Sequence, residues 1–130
     1  MTLFEIVGLY IALNIILLMV LTVRVGMVRM KAQVSLGDGG DFKLQSRIRA
    51  QGNYIEYAPF SLIGLFALAG LSAAPLALHI FGLAFLIGRI AHAIGMDGKN
   101  ALGKGRPLGM ILTVLTLAGQ AAYLLFLIFT

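Results

Sequence analysis

The chain is 130 residues long, 60% of them hydrophobic, with a net charge of +5 and no cysteine. Its apolar share lies above the roughly 45–50% of a soluble domain, and its mean hydropathy is +0.98, so it reads as one compact membrane domain with no room for a soluble one. Without cysteine, disulfides, thiolate nucleophiles and cysteine-ligated metals are excluded, and any thiol chemistry must use sulfur carried in by a substrate.

Four apolar runs follow in order: Leu3 to Val23, Tyr54 to Leu71, Pro75 to Gly88 (resuming at Ile90) and Leu108 to Phe129. Each approaches the ~20 residues needed to cross ~30 Å of hydrocarbon. With their polar extensions they predict spans of 3–30, 43–71, 75–96 and 107–129 in a single domain, 1–130. The expected fold is an all-α membrane protein, a four-transmembrane-helix bundle. The first run begins with Glu5 rather than a basic segment and exceeds a usual signal-peptide core, so it is read as a retained span. Arg24, Arg29 and Lys31 carry the first helix into the headgroups, and Lys43, Arg47 and Arg49 precede the apolar part of the second. Most of these cations read as snorkelling or interfacial anchors. Between them Gly37-Asp38-Gly39-Gly40 makes a turn and Asp41 can cap the second helix, while Pro75 and Pro107 suit first turns.

All ten Lys and Arg residues fall in two stretches, Arg24 to Arg49 and Arg89 to Arg106. The connection from Ser72 to Ala74 and both terminal ends carry none, so the positive-inside rule puts both longer loops in the cytoplasm and both termini outside. No aromatic-interleaved basic patch accompanies these charges, which argues against nucleic acid. Anionic headgroups of membrane lipids, or an anionic small molecule, are the expected partners.

A few polar residues enter the apolar segments. Arg49, Asn53 and Glu56 are spaced i, i+4, i+7 and share one helical face. Arg89 and His92 enter the third span from the same basic side, and Glu56 and Arg89 are expected at similar depth, as partners. Ionised groups in hydrocarbon are costly, so these side chains should face the bundle interior or a wet cavity. A salt-bridged network that only fixes helix register is one reading. Arg106, at the mouth of the fourth helix, adds a further cation, and an excess of arginine over one carboxylate suits an anionic ligand that carries carboxylates. Thr113, Thr116, Gln120 and Tyr123 form a stripe read as interhelical packing, and Gly105 to Gly109 is a lone small-xxx-small match. His79, near the uncharged surface, reads as interfacial. The glycine-rich turn lacks the Lys-Ser/Thr of a phosphate-binding loop, two histidines on opposite sides cannot form one zinc site, and there is no G-x-S-x-G elbow.

The segment Arg49-Ala50-Gln51-Gly52-Asn53-Tyr54-Ile55-Glu56-Tyr57-Ala58-Pro59 resembles the second-helix signature of the MAPEG family, the membrane-associated proteins in eicosanoid and glutathione metabolism, and Gly88-Arg89-Ile90-Ala91-His92 is similar to its third-helix element. The resemblance covers nearly the whole chain. It implies a homotrimer of four-helix subunits, with glutathione bound between neighbours in a cleft open to the cytoplasmic leaflet. By motif match, Arg49, Asn53, Glu56, Arg89 and His92 would hold glutathione. Arg29, reaching from a neighbouring subunit, and Arg106 resemble the family arginines near the thiol, with Arg106 in the catalytic role of stabilising the thiolate. No metal is implied.

The implied activity is a membrane-embedded glutathione transferase or peroxidase acting on a lipophilic small-molecule electrophile or a lipid hydroperoxide. Gln51 and Gly52 stand where eicosanoid-forming members carry a basic pair, and Met96 where they carry a tyrosine, so the resemblance points to a bacterial-type member of the inner membrane. Two other classes compete: a noncatalytic lipid-binding or scaffold protein of the same fold, and a small transporter using Glu56, which the short length and lack of inverted repeats disfavour.

Overall fold

The computed structural model describes residues 1–97 and 103–130 as four α-helices: α1 Leu3–Ala32, α2 Phe42–Gly70, α3 Pro75–Gly95 and α4 Gly105–Phe129. Local chemistry sets their ends. Thr2 accepts from the Glu5 backbone N–H while the Glu5 carboxylate accepts from the Thr2 N–H at 2.7 Å, a reciprocal cap that explains an acid at the head of an apolar run. α1 stops at Gln33, which turns left-handed at φ 53°. Gly37, Gly39 and Gly40 then take positive φ, which a glycine adopts without steric cost. Asp41 caps α2 by accepting from the Leu44 N–H at 2.9 Å. Pro75 opens α3, whereas α4 starts at Gly105 and places Pro107 third in its first turn.

α1, α3 and α4 are long and apolar enough to cross a membrane, and the protein is an integral membrane protein. α2 differs from the other three because Lys43, Gln45, Arg47, Arg49, Gln51, Asn53 and Glu56 crowd its first half. At 29 residues it is nevertheless about 44 Å long, and it packs against all three other helices.

Consecutive helices run antiparallel. The Phe4 and Phe66 rings meet at 5.4 Å near one end of α1 and α2, and Gln51 donates to Thr22 Oγ1 at 2.8 Å toward the other. α2 and α3 each pack on both α1 and α4, which therefore occupy opposite corners. Ile6, Val7, Tyr10, Leu65, Leu68 and Leu78 fill the core at the uncharged end, and Leu21, Tyr54, Ala58, Phe85 and Ala93 fill the middle. The polar stripe on α4 packs inward as expected: Thr113, Thr116 and Gln120 are buried, and Gln120 donates to the Ser61 carbonyl at 3.1 Å. His79 is not isolated; its Nδ1 lies 3.0 Å from the Tyr10 hydroxyl.

The tightest seam joins α3 to α4. A Cβ added at Gly109 would collide with the Gly88 carbonyl and the His92 N–H, one at Gly105 with the Ala91 carbonyl, and one at Gly95 with the Arg106 N–H. Helices in lipid gain little from apolar burial alone and associate through close backbone approach, which these glycines permit. The Gly105/Gly109 pair is thus half of a two-sided contact. Gly109→Val should lower the melting temperature in detergent by an amount corresponding to about 1–3 kcal/mol, the usual cost of overpacking. Gly26→Val, at a position with nothing within 4 Å of an added Cβ, should leave it nearly unchanged; equal effects would show that the seam is loose.

Candidate functional site

Arg89 anchors the interior of the basic half. It projects from α3 with 1% of its surface exposed. Its Nη2 donates to Asn53 Oδ1 of α2 at 2.7 Å and lies 3.3 Å from His92 Nδ1, and its Nη1 donates to Thr113 Oγ1 of α4 at 3.4 Å. The guanidinium carbon sits 5.8 Å from the centre of the Tyr57 ring. A guanidinium can only donate, so His92 Nδ1 accepts and the ring proton rests on Nε2. Thr113 passes its own hydroxyl proton to the Gly109 carbonyl at 2.8 Å, which frees its oxygen lone pairs for Arg89.

The expected Glu56–Arg89 ion pair is not among the contacts of the described residues. Glu56 lies on the exposed side of α2, and Asn53 stands between the two, accepting from Arg89 and donating to Glu56 Oε2 at a long 3.5 Å. Arg49 and Glu56 are exposed and Asn53 is half-buried, so this face runs along the border of the bundle rather than through its interior. Arg89 is therefore held directly by neutral acceptors, and the Glu56 carboxylate reaches it only through Asn53.

Beside this network a cleft of about 210 Å³ opens between α2, α3 and the start of α4. Arg49 and Asn53 line it from α2, His92 from α3 and Arg106 from α4. Four of the seven expected site residues thus share one wall-to-wall space, with Arg89 directly behind Asn53 and His92. Arg29 lies elsewhere in the chain: its Nη1 donates to the carbonyls of Val34 and Gly37, tying down the loop after α1. Met96, which the resemblance set at a family tyrosine position, completes the lining with Phe42, Gln45 and Ser46, and these last three were missed in sequence. The signal was present for two of them, since Phe42 and Gln45 extend the Arg49, Asn53, Glu56 spacing back along the same helical face. Among the described residues no carboxylate lines the cleft, so it offers donors and positive charge.

Two cations expected to be interfacial anchors are structural. Arg24 of α1 reaches Asp97 at 2.8 Å and Arg47 of α2 pairs with the other oxygen of the same carboxylate. Ser46 donates to the Met96 carbonyl alongside. The end of α3 is thereby clamped to α1 and α2, which fixes Met96 and, one turn earlier, His92 in the cleft wall.

Comparison with known proteins agrees with this architecture. The model of the MAPEG family matches residues 7–126. The chain belongs to the MAPEG family. It is also 36% identical over 106 residues to the inner membrane protein YecN of Escherichia coli strain K12, across 82% of this chain and 79% of the relative, and the YecN of Escherichia coli O6:H1 strain CFT073 matches to the same extent. No solved structure gives a significant match.

The clamp in this MAPEG protein carries a prediction. Asp97→Asn should destabilise the fold by about 1 kcal/mol at low ionic strength, read as a lower melting temperature, and the difference should shrink at about 1 M salt as screening weakens the pair in the wild type. A difference that does not change with salt would mean that the clamp acts by shape rather than charge.

Proposed function

We propose that this protein is a glutathione-dependent transferase or peroxidase acting on lipophilic electrophiles or lipid hydroperoxides. One observation carries the reading: a cleft lined by Arg49, Arg106, Asn53 and His92, backed by the buried Arg89, with no carboxylate in its wall. Glutathione carries two carboxylates and one ammonium, a net negative charge that such donors fit through bidentate guanidinium pairing. Glu56, just outside the cleft on the same face, would meet the ammonium.

The chemistry rests on charge placement. A thiol of pKa about 8.5 is mostly protonated at neutral pH, and a guanidinium beside it favours the thiolate. Arg106 would fill this role, with the neutral Nε2–H of His92 as a second donor on the same wall. The thiolate then attacks an electrophilic carbon, forming a carbon–sulfur bond as the leaving group departs with its electron pair. Against a hydroperoxide it attacks the terminal oxygen, the O–O bond breaks, the alkoxide leaves and takes up a proton to become an alcohol, and the thiol of a second glutathione then displaces the hydroxyl of the resulting sulfenic acid as water to give the disulfide. Positioning and electrostatic stabilisation suffice, with no covalent intermediate on the protein.

The assembly we propose is a homotrimer of four-span subunits in the bacterial inner membrane, with the basic loops cytoplasmic and the apolar substrate entering from the bilayer. The cleft of one chain, about 210 Å³, falls below the 300–1,000 Å³ usual for small-molecule pockets. A neighbouring subunit covering the exposed Arg49 and Glu56 would enlarge it. Arg29 of that neighbour would join only by releasing the loop carbonyls it binds.

Ultraviolet difference spectroscopy tests the reading, because a thiolate absorbs where a thiol does not. Saturating glutathione should give a thiolate band at neutral pH in the wild type, and Arg106→Ala should reduce it about tenfold or more at matched occupancy. Binding without a thiolate in the wild type would overturn the enzymatic reading in favour of a noncatalytic lipid-binding protein of the same fold.

A further inference from the structure

A second cleft, of about 280 Å³, lies at the basic end between the last turns of α1 and the first turn of α2, lined by Val28, Lys31, Ala32, Asp41 and Lys43. It shares no residue with the cleft described above. Among the described residues neither Lys31 nor Lys43 has a hydrogen-bonding or ion-pairing partner, although Arg24, Arg29 and Arg47 nearby are all engaged. The Asp41 carboxylate is committed to capping the Leu44 N–H. Counting all three charges, the lining is left with one net positive charge, which a single phosphodiester would balance.

Depth in the membrane identifies the source of that phosphate. α1 is 30 residues long, about 45 Å, and exceeds the ~30 Å of hydrocarbon by enough to carry its last turns through the headgroup layer. Val28 and Ala32 give the cleft an apolar wall. Met27 and Met30, in the same last turns of α1, are largely exposed. Apolar side chains next to unpaired ammonium groups at headgroup depth match a phosphate attached to glycerol and acyl chains, and a freely dissolved phosphate would have no use for them.

We infer that Lys31 and Lys43 form a binding site for the phosphodiester headgroup of an anionic phospholipid, separate from the glutathione cleft. An engaged lipid would bridge the end of α1 and the start of α2 and so brace the loop that Arg29 holds from the other side.

Native mass spectrometry of the whole protein in mild detergent tests this with phosphatidylglycerol as the probe and phosphatidylcholine as its zwitterionic counterpart. The wild type should retain one phosphatidylglycerol per chain with a preference of about tenfold or more over phosphatidylcholine, the size expected for two lysines at a lipid surface. Lys31→Gln/Lys43→Gln should reduce that preference to about twofold or less, whereas Lys104→Gln, at the other basic connection, should retain it. Two exposed lysines are not needed for folding, and an unchanged melting temperature of the double variant checks this. The site is overturned by a preference that survives the double substitution, by equal loss in Lys104→Gln, or by full competition from millimolar inorganic phosphate, which would make it a site for the free anion.

Discussion

A buried guanidinium without a carboxylate organises the basic half of this molecule. Arg89 draws one acceptor from each neighbouring direction, Asn53 from α2, Thr113 from α4 and His92 from its own helix. A charge that is costly to hold within a membrane is kept when its donors are satisfied and a function depends on its field. Its Nε has no partner among the described residues, so the guanidinium is only partly satisfied and the network stays electropositive. The cleft inherits that potential because Asn53 and His92, which hold Arg89, are also two of its walls.

The α3/α4 seam makes the arrangement possible. Thr113 reaches Arg89, and Arg106 reaches the cleft, because α4 lies against α3 through facing glycines that bring backbone to backbone. Any side chain at Gly95, Gly105 or Gly109 would move the start of α4 outward and take Arg106 with it. The clamp of Asp97 by Arg24 and Arg47 holds the same corner from the opposite side. Site geometry and fold stability thus share residues in the basic half, whereas the uncharged half is ordinary apolar packing.

Much of this was legible in the sequence because the membrane simplifies the code. Long apolar runs become helices, and charges confined to two stretches collect at one end of the bundle. The positions of Arg49, Asn53, His92 and Arg106 around one space followed from helical spacing and from the direction in which each helix enters. Two things were not legible. Whether Glu56 faces Arg89 depends on the rotation of α2 about its axis, and a rotation of that kind is decided by packing against α1 and α4 together. Asp97 follows α3 in an otherwise unremarkable turn, and its capture of two arginines depends on helix ends meeting across 50 and more residues. The polar first half of α2, by contrast, is plain in the sequence, and it is what separates this helix in hydropathy from the other three.

The central claim is that the charge of Arg89, held directly by neutral acceptors only, makes the cleft receptive to an anionic thiol. Calorimetric titration of glutathione into the wild type and Arg89→Met, with the unliganded melting temperature of each, addresses it directly. Removing Arg89 orphans no ion-paired carboxylate but leaves the acceptors of Asn53, Thr113 and His92 unpaired, so the variant should still fold while melting several degrees lower, and should bind glutathione about tenfold or more weakly, as loss of a charge near a desolvated anion dictates. Undiminished affinity in a folded Arg89→Met protein would contradict the account.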